Sequence, residues 1–327
     1  MQVQNNPLDQ LLAIVGPTAS GKSSLSMLLV QAAAEHHITI EIISMDSALV
    51  YRGMNIGTAK PTPAELKRVT HHGINIRDPW EHYSAAAFAH DVKQWVQEIR
   101  ARGNYPIVVG GTMLYWRALG QGLSQLPATT QEVRLRIESR AQLLGWDTLY
   151  RQLQEVDPMT AARLPPGDHQ RISRALEVFE LSGEPMSSLI QQEPYAISRN
   201  DANFEHVLVS LEPNNRAWLH ERIEQRFTQM LTLGLIEEVK TLLTHPQINA
   251  TLPAMRAVGY RQAISYLNQE YSYAQFVEAG LAASRQLAKR QLTWLRAMPS
   301  RHVVDPSDQQ ALAQTIHDCL DHILKTR

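Results

Sequence analysis

Eight residues near the start of the chain, Gly16, Pro17, Thr18, Ala19, Ser20, Gly21, Lys22 and Ser23, follow the spacing GxxxxGK[ST]. A loop of this kind turns successive backbone N–H groups toward one point, and a helix that starts there adds its positive end. Lys22 supplies a point charge, and the Ser23 hydroxyl can ligate Mg2+. The chemistry is the holding of a phosphate. The pattern leaves open whether that phosphate belongs to a nucleoside triphosphate or to a diphosphate leaving group. A chance glycine turn is the plain alternative, and it would make accidents of the apolar run before the loop and the helical spacing after it.

Asp46 closes a second apolar run, IEIISMD. A carboxylate at such a strand end can meet Mg2+ through water, act as a general base, or merely cap a helix. The stretch that follows, SALVYRGMNIGTAKP, is too polar and glycine-rich for a core and reads as a functional loop. Gly110, Gly111 and Thr112 form a third such end after YPIVV. Farther on, Arg285, Lys289, Arg290, Arg296 and Arg301 lie in a run with no acidic residue. At about 100° per residue, Arg285, Lys289, Thr293 and Arg296 share a helix face. Such a face suits a phosphate backbone, although a solvated surface helix has the same look. HQRISR and MRAVGYRQ place arginines beside aromatic or apolar partners, which suits an unpaired, stacked base.

These residues need elements to position them. LLAIVG, IEIISMD and YPIVVGGT read as strands, with helices over Ser20–Ala34 and HDVKQWVQEIRARG between them. Alternation of that kind predicts an α/β fold with a parallel sheet, whose ligands sit beyond the carboxyl ends of the strands. After residue 120 the pattern turns helical: TQEVRLRIESRAQLLG, WDTLYRQLQEVD and DHQRISRALEVFELSG carry no strand signal. FEHVLVSLEP then resumes strand character and is expected to rejoin the sheet. The expected division is therefore a P-loop NTPase-like core over 1–120 and 204–327, with an all-helical insertion over 121–203.

Composition sets outer limits. The chain has 327 residues, is 44% hydrophobic and has a formal net charge of −1, so a nucleic-acid partner must be met by local basic faces. One cysteine, Cys319, excludes an internal disulfide. Neither His36-His37 nor His71-His72 has the spacing of a zinc site. With no signal-peptide pattern and no run long enough to span a bilayer, a cytoplasmic monomer away from membranes is expected. No NKxD run is present, neither DSAL nor DPMT has the DxxG form, and the first third lacks an arginine-rich lid. Those features weigh against a GTPase or a small nucleoside kinase.

Taken in order, GPTASGKS, DSALVYRGMNIGTAKP, HH, VGGTMLYWRAL, QRISRALEV, RAVGYRQ and KRQLTWLR resemble the bacterial tRNA dimethylallyltransferase (tRNA isopentenyltransferase) family. The likeness runs over about residues 13 to 297, and GMNIGTAKP with VGGTMLY is far more specific than the P-loop. It implies transfer of the dimethylallyl group of dimethylallyl diphosphate to N6 of the adenosine just 3′ of a tRNA anticodon. The loop would then hold a diphosphate, with Mg2+ on Ser23, and Asp46 would be the general base. The resemblance places Thr112 near the reacting group and Arg222 on the diphosphate, and has the insertion grip the anticodon stem-loop. It carries tRNA contacts onto Asp46, Ser47, Ala48 and Leu49, onto Thr112 and Arg134, and onto Gln170, Arg171, Ile172, Ser173 and Arg174. Further contacts fall on Arg256, Ala257, Val258, Gly259, Tyr260 and Arg261. The last set is Lys289, Arg290, Gln291, Leu292, Thr293, Trp294, Leu295 and Arg296. Asn55, Gly73 and the pair Ala48-Leu49 depart from the family's usual residues, and no zinc finger follows the core. A P-loop kinase using ATP and a non-catalytic RNA-binding protein are the competing readings.

Overall fold

The computed structural model describes residues 8–121, 126–127, 129–192, 206–298 and 300–326. Its contacts divide the chain into two compact units, Met1–Gly120 with Asn200–Arg327, and Gln121–Arg199. The expected boundary at 203–204 lies outside the described residues.

The larger unit begins β1 (Leu11–Val15), α1 (Lys22–Glu35), β2 (Ile40–Met45), α2 (Pro63–Arg68), β3 (His71–His72), α3 (Ala85–Ala101), β4 (Tyr105–Gly110) and α4 (Met113–Gln121). The smaller unit holds α5 (Gln131–Leu144), α6 (Trp146–Val156), α7 (Pro158–Ala161), α8 (His169–Ser182) and α9 (Met186–Gln192). The larger unit then resumes with β5 (His206–Leu211), α10 (Arg216–Thr232), α11 (Leu235–Leu243), α12 (Tyr260–Leu267), α13 (Tyr273–Arg296), β6 (His302–Val304) and α14 (Gln309–Thr326).

Six strands form one sheet in the order β3-β2-β4-β1-β5-β6. Every pair is parallel. Residues of β1, β2 and β4 are buried throughout, as a sheet covered on both faces requires. One face packs Phe88, Val92, Val96 and Ile99 of α3 with Phe227, Tyr260 and Phe276. The other packs Leu25, Leu29 and Ala33 of α1 with Cys319, Leu320 and Ile323 of α14. The fold is the expected α/β, P-loop-type sheet. β5 rejoins it beside β1, with Leu11 opposite His206 and Val15 opposite Ser210.

Two boundaries differ from expectation. α1 begins at Lys22 rather than Ser20, because Gly21 takes φ 94° and keeps the preceding residues in the loop. α3 begins at Ala85, where the Ser84 side chain accepts from the Ala87 N–H and caps a turn that the His90 start omitted. Taken by itself, the smaller unit is a helical bundle around Ile137, Leu149, Leu153, Ile172 and Leu176. Asp168 caps α8, and Gly183, at φ 73°, ends it.

Candidate active site

The carboxyl ends of β1, β2 and β4 carry the P-loop, Asp46 and the Gly110-Gly111-Thr112 turn to one cavity of about 510 Å³. Thr18, Lys22 and Ser23 line it, with Asp46, Ser47, Ala48, Leu49, Thr112, Arg256, Ala257, Val258, Gly259, Arg290, Gln291 and Trp294. Its apolar wall comes from Ala59, Ile223, Phe227, Met230, Val258 and Leu287. A cationic and anionic group thus share one pocket with a greasy surface.

Lys22 Nζ donates to the Pro17 carbonyl at 2.7 Å. Burial and then the Arg226 guanidinium pull its pKa down to about 7, against the favourable charge of Asp46. An incoming anion would restore the proton. Asp46 Oδ1 accepts from the N–H groups of Ala48, at 2.8 Å, and Leu49, at 3.3 Å. That aspartate turn shapes the loop and leaves Oδ2 with no hydrogen bond from the described residues. Thr112 Oγ1 accepts from the Ser47 N–H at 3.1 Å and so pins the same loop from β4.

Arg222 stands elsewhere. Its Nε donates to the Ala19 carbonyl at 3.0 Å, and its guanidinium lies 4.9 Å over the Trp218 ring, outside the lining of the cavity. Ala19 has φ 62°, a left-handed conformation that costs a non-glycine residue, and Arg222 braces it from behind. On α10 it is Arg226, one turn along, that lines the cavity, together with Arg256 and Arg290 from other elements. Burial lowers its pKa, Asp46 opposes that shift, and its Nη2 donates to the Thr58 carbonyl at 3.2 Å. The sequence offered no sign to choose between two arginines four residues apart.

Gln291 also has a role that its basic neighbours hide. Its Oε1 accepts from the Thr18 N–H at 2.8 Å, and its Nε2 donates to the Gly111 carbonyl at 2.9 Å. One amide therefore joins α13 to the phosphate loop and to the β4 turn. A Cβ on Gly111 would come within 2.5 Å of that Nε2, which accounts for the glycine.

The segments carried over as tRNA contacts are not uniformly accessible. Lys289, Arg290, Thr293, Trp294 and Arg296 are exposed and Leu292 is half-buried, whereas Leu295 is fully buried in the core. Tyr260 is likewise buried, while Arg256 and Arg261 are more accessible. In the smaller unit Gln170 and Arg171 are exposed, Ile172 and Ser173 are buried, and Arg134 is half-buried. Arg174 donates to Thr129 and to the Pro127 carbonyl and so is partly spent within the unit. The expected basic run from Arg285 to Arg301 also divides: Arg285 is half-buried beside His220, and Arg301, beyond the end of α13, pairs with the buried Glu212 at 2.6 Å.

For a metal, the cavity offers the exposed Ser23 hydroxyl and one oxygen of Asp46. Among the described residues, no group of three His, Cys, Asp or Glu side chains could hold an ion. The Ser23 hydroxyl beside a phosphate loop fits Mg2+, which keeps several waters and takes the rest from substrate phosphate, and the Asp46 oxygen stays free for a proton. No helix among the described residues is long and apolar enough to cross a membrane.

Comparison with known proteins places the chain. The IPP transferase family model matches residues 49–298. A tRNA dimethylallyltransferase of Polynucleobacter asymbioticus is 49% identical over 319 residues, which cover 97% of this chain and 96% of the relative. The chain belongs to the IPP transferase family. A second family member, the tRNA dimethylallyltransferase of Bordetella pertussis, is 49% identical over 94% of this chain and 96% of its own. The crystal structure of the tRNA isopentenylpyrophosphate transferase of Bacillus halodurans superposes with a TM-score of 0.67 at 32% identity, covering 97% of this chain and 96% of that one. A eukaryotic dimethylallyltransferase captured acting on tRNA, 24% identical, shares the IPP transferase fold with a TM-score of 0.75, over 98% of this chain and 80% of that one.

Proposed function

We propose that this IPP transferase moves the dimethylallyl group of dimethylallyl diphosphate to N6 of the adenosine 3′-adjacent to the anticodon of tRNA. The observation that carries the reading is one cavity in which the P-loop lysine, a strand-end carboxylate and an apolar wall meet. A phosphate loop with an apolar wall suits a short hydrocarbon diphosphate, and a carboxylate suits an amine that must lose a proton.

The donor's diphosphate lies on the loop N–H groups, with Lys22 and Arg226 beside it. Their charge stabilises the negative charge that grows as the C–O bond breaks. Ser23 would hold Mg2+ together with phosphate oxygens, and the ion would supply Lewis-acid stabilisation of the same charge. The exocyclic amine of adenine is a weak nucleophile, its lone pair being shared with the ring. As its nitrogen bonds to the dimethylallyl carbon, its proton passes to Oδ2 of Asp46 and the diphosphate leaves with the electron pair. Thr112 holds Ser47, and so the loop that carries Asp46, in register. Within the insertion, Gln170 and Arg171 are exposed and would meet the anticodon stem-loop; within the core, Lys289, Arg290 and Arg296 of α13 are exposed and would meet tRNA phosphates. The enzyme works as a cytoplasmic monomer, its core spanning 1–120 and 204–327 and its insertion 121–203.

The test offers unmodified tRNA with labelled dimethylallyl diphosphate and, separately, with ATP, and reads the products by mass. A prenylated adenosine is expected. A phosphorylated product from ATP with no prenylation would replace this reading with a kinase.

A further inference from the structure

Glu238 lies on α11 within LIEEVKTLL, outside every segment that pointed to function. Its carboxylate nevertheless accepts four hydrogen bonds beside the cavity. Oε2 accepts from the N–H groups of Asn55, at 2.9 Å, and Ile56, at 2.8 Å. Oε1 accepts from the Gly57 N–H at 3.1 Å and from the Tyr260 hydroxyl at 2.6 Å. Three successive backbone N–H groups form a nest for an anion, and here the protein fills that nest with its own side chain.

The two segments joined in this way are both walls of the donor cavity. Gly57, Thr58 and Ala59 line it from one loop, and Arg256, Ala257, Val258 and Gly259 from the turn before Tyr260. The first loop is also held within itself, by Thr58 Oγ1 on the Met54 carbonyl at 2.8 Å and by the N–H groups of Ala59 and Lys60 on the carbonyls of Ile56 and Asn55, each at 2.9 Å. Among these bonds only that of Glu238 ties it to Tyr260. Lys60 Nζ reaches the Tyr51 carbonyl and Asn75 Oδ1, each at 2.6 Å, and Arg226 reaches Thr58. A Cβ on Gly57 would strike the Tyr260 ring, so the two segments touch where Glu238 draws them together. Burial and then Glu238 push the Tyr260 hydroxyl pKa upward, which keeps it a donor. The clamp reads Asn55 by its backbone N–H alone.

We infer that Glu238 is a positioning residue that sets the spacing of these two walls and so limits the size of the prenyl group the cavity accepts. The inference rests on the proposed donor chemistry. Glutamine at this position tests it well, because an amide has one oxygen for four donors. In Glu238→Gln, two of the four lose their acceptor and face an N–H2 group instead. Tyr260→Phe removes one donor and leaves the three backbone donors paired.

The experiment measures kcat and KM with dimethylallyl diphosphate and with the ten-carbon geranyl diphosphate on one tRNA, together with tRNA Kd and hydrogen exchange at residues 55–57. For Glu238→Gln we expect at least a tenfold rise in dimethylallyl KM and less than a threefold change in kcat. The preference for five carbons over ten should narrow about tenfold, tRNA Kd should hold, and exchange at 55–57 should quicken about tenfold. Tyr260→Phe should narrow the preference about threefold. A Glu238→Gln enzyme with parental KM, parental preference and parental exchange overturns the inference. If that variant does not fold, Tyr260→Phe decides, and a parental preference in it overturns the inference. A parent that fails to prenylate tRNA at all would instead remove the proposed function, even if exchange at 55–57 still answered to Glu238→Gln.

Discussion

Asp46→Asn exchanges a single carboxylate oxygen for an amide nitrogen. The retained oxygen can still accept from the Ala48 and Leu49 N–H groups, now at 2.8 and 3.3 Å, so the loop should keep its shape. What is lost is the oxygen free to take a proton. Removal of a general base costs about 10² to 10⁴ in rate, or ~3–5.5 kcal/mol in the barrier. A second effect must be kept apart from this. Asp46 favours the charged form of Lys22, whose pKa already sits near 7, so the variant should also bind donor more weakly at neutral pH. Single-turnover rates with donor and tRNA both saturating remove that second effect. We expect a loss of at least about 100-fold, with tRNA Kd within a few-fold of the parent and little change in Tm. Asp46→Ala, which also loses the two loop bonds, should lower Tm as well. A saturated single-turnover rate for Asp46→Asn within about tenfold of the parent, smaller than general-base loss allows, would refute the general-base assignment.

Lys22 should make donor binding pH-dependent. The diphosphate binds the protonated amine, so above pH about 7 the donor Kd should climb by up to tenfold per unit, and Lys22→Met should flatten that climb; calorimetric titration between pH 7 and 9 checks both. Arg226→Ala should raise donor KM by about 10-fold or more, as loss of a charge-assisted hydrogen bond does. Arg222→Ala should cost only about 5-fold through its brace on Ala19, and the reverse order in steady-state assays would return the diphosphate to Arg222. Replacing Lys289, Arg290 and Arg296 together should weaken tRNA binding and reduce the log–log salt slope by up to about 0.9 for each phosphate that is no longer neutralised; an unchanged slope would make that face of α13 merely solvated.

The elements that carry ligands at their ends were readable because each strand is a buried apolar run followed by a loop of distinctive chemistry. β3, only two residues long, has no period to read and did not show. Among side chains, Lys22 and Asp46 declared themselves by type and place. Arg226 did not, since Arg222 precedes it on the same helix with the same chemistry. Glu238 was silent for a different reason: three of its four donors are backbone N–H groups, and those leave no residue type in the sequence to pair with it. Leu295 and Tyr260 were carried along inside contiguous segments, although helical periodicity alone turns part of any such segment toward the core.

The amide of Gln291 means that a glycine-rich phosphate loop cannot be valued by its spacing alone. Thr18 offers its N–H to Gln291, so that donor is withheld from the diphosphate while α13 keeps its place. Exposed cations flank Gln291 on the same helix, so a polyanion that moved α13 would change the number of donors the loop can offer. By reciprocity, any free energy that a bound polyanion contributed to freeing that N–H would reappear as tighter holding of the polyanion when the loop is filled.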